Sequence, residues 1–381
     1  MKHVLLGTTA LVAAGFVVGQ AQAADPIKLT LGGFYGAAAG AEIGGNDSRG
    51  SPSDNRQHGA FKNNVEVYFN GSTTLDNGLT AGVHIELEGN NSSKTIDEVF
   101  TYFKGGFGEF RFGDTGGALG KSCVVDPGAI TNNFGLISPN NSFSNVGRNT
   151  PIGLGGMGTC EDHGNQTKAV YFSPVFGGFQ GVVSFSPGVG PGPGGRSAGP
   201  ATGTNSTNTN ARNILEGSIN FNKSFGAVSL TGNVAAEYTF AGQNPDPWEV
   251  QGGLVIGWGR WQVGASGEFD ANYNPWLGGG SSVKVSDSDD AWFVTAGGAY
   301  AIDAWTVGLE GIYGNLQTTA GHDQYKAVSL QGTYKLGPGI RLEGEVAYYW
   351  YNQAHTGGGG SIQNNGTSQS ASVGLGTYMT F

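Results

Sequence analysis

The sequence predicts an all-β chain that closes into a barrel of sixteen antiparallel strands. The first observation is that segments along the whole chain alternate between apolar and polar residues, the period of a strand with two different faces. The second is that sixteen such segments are present, an even number. The third is that their connections alternate between short and long, which is the plan of a transmembrane β-barrel with short turns on one side.

Residues 1–23 have the pattern of a secretory signal peptide. A positive start is followed by an apolar run and by an A-x-A cleavage pattern that ends at Ala23. We expect cleavage after Ala23 or Ala24 and an exported mature chain, residues 24–381, that forms a single domain. The alternative is a membrane anchor, but the apolar run is short for a span and small residues end it.

The sixteen segments follow one another along the mature chain. In the fifteenth, for example, Leu342 and Val346 lie on one face, whereas Glu343 and Glu345 lie on the other. The segments start near Ile27, Phe61, Leu79, Glu98, Glu109, Thr167, Phe179, Arg212, Ala227, Trp248, Trp261, Asp290, Trp305, Tyr325, Ile340 and Gln369.

The connections separate into two kinds. The short ones carry the glycine, asparagine, aspartate or proline of tight turns. They include the turns at 76–78, 105–108, 176–178, 257–259, 302–304 and 337–339. The long ones are polar and rich in Gly, Asn and Ser, and they lie at about 40–60, 89–97, 115–166, 187–211, 241–247, 272–289, 315–324 and 351–368.

The apolar face of these strands is predicted to contact lipid. This face continues from strand to strand without a charged residue, as a lipid-facing surface requires. The other face carries many carboxylates, which a small packed core could not bury without partners, so that face should contact water. Aromatic residues cluster at strand ends, as in an interfacial girdle: Phe69, Phe103, Phe110, Phe112, Phe221, Trp258, Trp261, Trp305, Tyr334, Tyr348 and Trp350. The alternative is a soluble β-sandwich or adhesin with the apolar face inside. Sixteen strands enclose more space than side chains fill, so the interior should hold water.

The composition excludes several classes of protein. The chain has 70 glycines, 13% charged residues and a formal net charge of -10. Glycine is too rare for collagen, Ala, Glu, Lys and Leu do not dominate as in a coiled coil, and aromatic residues are too common for a disordered chain. The acidic balance, without a basic stripe, disfavours a nucleic-acid partner.

Three stretches resemble the general porins of Gram-negative bacteria, particularly those of alphaproteobacteria. They read IKLTLGGFYG, FKNNVEVYFNGSTTLDNGLTAGVHIELE and FTYFKGGFGEFRFGDTGGAL, and the terminal Phe381 resembles the signal that the outer-membrane assembly machinery reads. The resemblance implies a homotrimer in the outer membrane, in contact with its lipids, and a third long loop folded into the lumen as a constriction. It also implies passive diffusion of small hydrophilic solutes and ions. The alternatives are a solute-specific channel of the same fold and a plugged structural or adhesive barrel.

The third long loop, at about 115–166, is the candidate constriction. It contains the only two cysteines, Cys123 and Cys160. An even pair in an exported chain favours one disulfide, which would stabilise by about 3–4 kcal/mol in the chain-entropy model. Two free thiols remain the alternative, and a metal site is disfavoured because paired C-x-x-C spacing is absent.

The rest of the chain contains only weak candidates for metal-binding or catalytic motifs. His84, Glu86 and Glu88 share a strand face and suggest a metal site, but a solvated lumen wall is the preferred interpretation. The histidines form no recognisable catalytic motif, so we expect no enzyme, no cofactor and no metal.

The polar faces predict an acidic lumen with a weak preference for cations. The lumen-facing acids are Glu66, Glu86, Glu88, Glu98, Glu216, Glu237, Glu249, Glu268, Asp270, Glu310, Glu343 and Glu345, and the bases are Lys62, Arg111, Lys335 and Arg341. The loop adds Asp126, Glu161 and Asp162 against Lys121 and Arg148. The predicted pore-lining and constriction residues are Lys62, Glu66, His84, Glu86, Arg111, Asp126, Glu161, Asp162, Lys335, Arg341 and Glu343. Because loop acids would face Lys62 and Arg111, we expect a transverse field there, and the excess of carboxylates should raise the local cation concentration.

Overall fold

The computed structural model describes nine stretches of the chain. They comprise residues 26–47, 59–89, 96–131, 165–189, 212–240, 246–271, 290–318, 321–353 and 366–381. The predicted signal peptide lies outside the described residues.

Sixteen β-strands make up nearly all of the described structure. They are β1 (Lys28–Asp47), β2 (Gly59–Thr74), β3 (Thr80–Glu88), β4 (Ile96–Gly105), β5 (Gly108–Thr115), β6 (Gln166–Phe172), β7 (Phe179–Val189), β8 (Arg212–Phe225), β9 (Val228–Phe240), β10 (Trp248–Trp258), β11 (Trp261–Ala271), β12 (Ala291–Ile302), β13 (Trp305–Thr318), β14 (Gly321–Gly337), β15 (Ile340–Gln353) and β16 (Gly366–Thr380). One short helix, α1 (Ala118–Lys121), follows β5. Among the described residues, no helix has the length and apolar character needed to cross a membrane.

The strands form one closed antiparallel barrel, so the predicted fold class is confirmed. Each strand pairs with the next along the chain, and β1 also pairs with β16. Phe34 shows the closure, because it lies opposite Glu66 of β2 on one side and opposite Thr380 of β16 on the other. The last residue, Phe381, extends this pairing by exchanging two backbone hydrogen bonds with Gly33, at 3.0 and 3.1 Å.

The two faces of the barrel carry opposite chemistry. In β15, Leu342 and Val346 are 45% and 53% exposed, whereas Glu343 and Glu345 are 4% and 5% exposed. Apolar side chains thus point outward and polar side chains inward, the reverse of a soluble barrel with a packed apolar core. This arrangement requires an apolar surrounding for the outer face.

The short connections lie at one end of the barrel and use turn chemistry read from the sequence. Gly259 and Gly339, between β10 and β11 and between β14 and β15, have φ values of 59° and 70°, which glycine adopts without a Cβ clash. Asp303, in the turn between β12 and β13, is the non-glycine residue with positive φ (52°) among those described. Aspartate tolerates this conformation better than most residues.

Each predicted strand start lies within four residues of the observed one. The largest difference is in β14, which begins at Gly321 rather than near Tyr325. The added residues, GHDQ, contain no apolar side chain, so the strand continues there without an alternating pattern. The helix α1 was not predicted, because four residues are too few to show a helical period.

Candidate functional site

The interior wall formed by β8 to β15 carries a row of buried acids. They are Glu216, Glu237, Glu249, Glu268, Asp270, Glu310, Glu343 and Glu345. They occupy inward-facing positions of β8, β9, β10, β11, β13 and β15, as the alternation of the sequence predicts. A chain segment lies against part of this wall.

This covering segment consists of residues 116–131, the first part of the long connection between β5 and β6. It begins inside the barrel at α1, where the Ala118 N–H donates to Glu216 Oε2 at 2.5 Å and lies 2.9 Å from Ser184 Oγ. The Ala118 side chain also packs with Val170 and Val182 of the inner wall. Both the polar and the apolar contacts therefore attach the start of the segment to β6, β7 and β8.

The middle of the covering segment passes over inward-facing positions of the wall that are glycines. A Cβ added to Gly253 of β10 would lie 2.9 Å from the carbonyl carbon of Val124 and nearer still to its oxygen. Gly297 of β12 likewise leaves space for Asp126, and Gly308 of β13 leaves space for Gly128. The absence of side chains at these positions lets the backbone of the segment lie directly on the sheet.

The covering segment reaches β14 and β15 at Thr131. The backbone N–H and the hydroxyl group of Thr131 both donate to Gln331 Oε1, at 2.9 and 2.8 Å. The hydroxyl group also lies 3.4 Å from Glu345 Oε2. The segment therefore follows the wall from β7 to β15.

Asp126 is the buried acid of the covering segment. It is 1% exposed, it accepts a hydrogen bond from the Gly128 N–H at 2.9 Å, and it lies near Thr295 and Glu310. Burial raises the pKa of the Asp126 carboxyl group, and the hydrogen bond from Gly128 opposes this only partly. Asp126 thus contacts the acidic wall and is buried from the interior space.

The opposite side of the interior carries a row of rings that we call the aromatic arc. Its members are Tyr378, Phe34, Tyr68, His84, Phe100 and Tyr102, which come from β16, β1, β2, β3 and β4. Successive ring centroids are 5.2 Å apart for Tyr378 and Phe34, 5.8 Å for Tyr68 and His84, and 5.0 Å for His84 and Phe100. These separations are those of favourable aromatic pairs.

Two arginines extend the aromatic arc at its ends in the same way. Arg111 donates from Nε to Glu109 at 2.6 Å, and its guanidinium lies 4.9 Å from the Phe100 ring centroid. Arg341 donates from Nε to Glu343 at 2.6 Å, and its guanidinium lies 4.6 Å from the centroid of Tyr378. Each guanidinium is thus held by a carboxylate two residues away on its own strand and by an aromatic face.

The histidine of the aromatic arc lies among carboxylates. His84 Nδ1 is 2.6 Å from Asn70 Oδ1, and His84 Nε2 is 3.3 Å from Glu86 Oε2. Glu98 of β4 is nearby, and its Oε1 accepts a hydrogen bond from Lys121 of α1 at 2.6 Å. On β2, the Tyr68 hydroxyl donates to Glu66 at 2.7 Å.

The structure brings several predicted site residues together and separates others. His84 and Glu66 both lie beside Glu86 at the aromatic arc, whereas Lys335 is exposed near a short turn, opposite Arg341. Lys62 lies in β2 opposite Ala38.

The long connection contains predicted residues that the structure describes only in part. Cys123 is disulfide-bonded. Cys160, Glu161 and Asp162 lie outside the described residues.

Sequence reasoning missed three residues that attach the covering segment to the wall. It also missed a buried base on the inner face of β6. Ser184, Ser218 and Gln331 bond to the segment, and each has the inward parity of its strand, so their parity was the available signal. The predicted bases do not include Lys168, which is buried on the inner face of β6. The inward positions of that strand are polar at Gln166 and Lys168 but apolar at Val170 and Phe172, so the alternation does not identify a polar face.

Comparison with known proteins gives one family and many structures. A sequence profile described as Gram-negative porin matches residues 7–354. No curated protein matches the chain.

Three solved structures illustrate the likeness of the fold. The anion-selective porin of Comamonas acidovorans is 16% identical with a TM-score of 0.57, covering 93% of this chain and 100% of that one. The outer-membrane channel DcaP of Acinetobacter baumannii is 16% identical with a TM-score of 0.58, covering 93% and 98%. The trimer form of OmpT from Vibrio cholerae is 11% identical with a TM-score of 0.58, covering 94% and 100%. Because these sequence identities are low, the three structures show a similar fold and nothing more.

Proposed function

Because the chain belongs to the Gram-negative porin family, we propose that it forms a water-filled outer-membrane channel for passive diffusion of small hydrophilic solutes and ions. The observation that carries this proposal is the reversed barrel, with apolar side chains outside and charged side chains inside. Such a wall suits lipid on one face and water on the other. A purified channel in planar bilayers should give discrete conductance steps, and a plugged barrel would give none.

We further propose a weak preference for cations. Inward-facing carboxylates outnumber inward-facing bases in the described residues, and the bases Arg111 and Arg341 are already paired with Glu109 and Glu343. An excess of fixed negative charge between low-dielectric walls raises the local cation concentration. Because charges beyond about 8–10 Å are screened at physiological salt, the preference should be modest and should grow as salt falls.

Reversal potentials in a KCl gradient test the cation preference. Glu86→Gln removes one charge at the aromatic arc and keeps an oxygen beside His84 Nε2, so it should reduce the preference. Asp303→Asn is the matched control, because it removes an equal charge at an exposed turn and asparagine tolerates the positive φ. Anion selectivity of the unaltered channel at low salt would contradict the proposal.

The same family membership supports a proposal for export and assembly. The signal peptide, residues 1–23, would be removed, and the assembly machinery would read Phe381 before the barrel enters the outer membrane. A homotrimer in contact with outer-membrane lipids would follow. Protein sequencing of the mature N-terminus and native mass spectrometry in detergent test cleavage and stoichiometry.

The aromatic arc favours one alternative, a channel specific for a class of solute. Rings that line a wall facing water stack on planar or ring-shaped solutes. Arg111 and Arg341 donate to Glu109 and Glu343 through Nε, and their guanidinium groups have further N–H donors for an anionic group. A specific channel would be blocked by its solute at low concentration. Conductance measured with neutral sugars and with aromatic carboxylates separates this alternative from general diffusion, which predicts no saturable block.

A further inference from the structure

Three side chains with metal-binding atoms converge on the inner wall beside the aromatic arc. His84 and Glu86 project from β3 and Glu98 projects from the adjacent β4. One ligand atom from each lies within 4.8 Å of the others. The third partner expected from sequence, Glu88, is four residues from His84, about 13 Å along an extended strand.

Strand register brings Glu98 into this cluster. His84 lies opposite Phe100 and Ile85 lies opposite Val99, so Glu86 and Glu98 come next on the two strands and share the same face. The register shifts only beyond this point, because Leu87 lies opposite Ile96. Such bulges are common next to functional positions.

The imidazole ring of His84 is oriented so that its Nε2 atom can bind a metal ion. Nδ1 is 2.6 Å from Asn70 Oδ1, and an Nδ1–H that donates to this carbonyl leaves the lone pair on Nε2. Tyr68 and Phe100 hold the two sides of the ring. A carbonyl partner on one imidazole nitrogen is the usual arrangement when the other nitrogen binds a metal.

We propose that His84, Glu86 and Glu98 form a binding site for a divalent transition-metal ion, with Zn²⁺ as the best match. His84 Nε2 and Glu86 Oε2 are 3.3 Å apart. In a tetrahedral site with bonds of about 2.0–2.2 Å, neighbouring ligand atoms lie about 3.3–3.6 Å apart. An imidazole nitrogen with two carboxylates favours Zn²⁺ over Ca²⁺ or Mg²⁺, which prefer oxygen ligands.

Lys121 competes with the metal for this site. Its ammonium group lies 2.6 Å from Glu98 Oε1, so it supplies the positive charge beside Glu98. Lys121 is the last residue of α1, in the segment that covers the opposite wall. A metal ion bound to Glu98 therefore displaces Lys121 and adds positive charge to the interior. Metal binding thereby lowers cation conductance, an effect that goes beyond the proposed diffusion function.

Conductance in planar bilayers tests the metal site. After EDTA treatment, micromolar Zn²⁺ should lower cation conductance saturably, whereas equal Mg²⁺ should not. His84→Gln should weaken the Zn²⁺ effect at least tenfold. His322→Gln, which alters an exposed histidine of β14, should leave it unchanged. Lys121→Gln should strengthen Zn²⁺ binding, because the competing ammonium group is gone.

The outcomes distinguish this inference from the proposed function. Absence of conductance after EDTA treatment would overturn the channel itself. A conducting channel with an equal Zn²⁺ response in His84→Gln would overturn the metal site. Visible absorption of bound Co²⁺ gives a direct readout that does not depend on the folding of a variant, and absence of a saturable absorption band in the unaltered protein would also overturn the site.

Discussion

The close approach of the covering segment to the acidic wall leads to a prediction about Gly253. In Gly253→Ala, the added Cβ would lie 2.9 Å from the carbonyl carbon of Val124, whereas ordinary contact begins at 3.4 Å. The segment must therefore move by at least about 0.5 Å, and the nearer carbonyl oxygen makes this a lower bound. Both neighbours are backbone, so no side-chain rotation relieves the clash.

The free-energy cost of this overpacking should be about 1–3 kcal/mol. If the segment takes up the strain by leaving the wall, the detached population rises about 5- to 150-fold. A segment that moves away from the wall moves into the interior, so single-channel conductance should fall or become unstable. The assay is single-channel recording of the purified protein, together with its thermal unfolding.

Gly332→Ala provides the matched control. It makes the same substitution in a strand, β14, but the added Cβ has no atom within 4 Å. Its conductance and unfolding temperature should match those of the unaltered protein. Equal behaviour of Gly253→Ala and Gly332→Ala would refute the argument that these glycines make room for the segment.

Three further predictions concern the end of the chain, the disulfide and one buried acid. Deleting Phe381 should reduce membrane insertion, because β16 loses two backbone hydrogen bonds to Gly33 and the proposed assembly signal; normal amounts of heat-resistant oligomer would contradict this. Mass spectrometry of non-reduced peptides should link Cys123 to Cys160, whereas two alkylatable thiols in the native protein would disprove the bridge. Burial raises the pKa of Asp126, so attachment of the segment should be strongest below the ordinary aspartate pKa of about 3.9 and weaken as pH rises through the raised value. Conductance between pH 4 and 8 should change in the unaltered protein, and Asp126→Asn should remove that part of the change; an identical pH profile in the variant would exclude Asp126 as the cause.

The strands and their two faces could be predicted because both depend on local pattern. Leu342 and Glu343 are neighbours in sequence and point to opposite sides of any strand that contains them. The alternation does not show a strand start where polar residues continue the strand beyond its alternating part, as at Gly321. Lys168 was missed because the inward face of β6 is polar at Gln166 and apolar at Val170, so the alternation does not show which face is inside.

The sequence by itself determined that this chain forms an even-stranded barrel with an apolar outside, because a period of two specifies two faces without any knowledge of the partner strands. Only the tertiary structure decided which residues of different strands meet. The pairing of β3 with β4 that brings Glu98 near His84, the path of residues 116–131 over Gly253 and Gly297, and the aromatic arc all depend on strand register and on barrel closure. These contacts join residues that are far apart in sequence, and the alternation of each strand is the same whichever register its neighbour adopts.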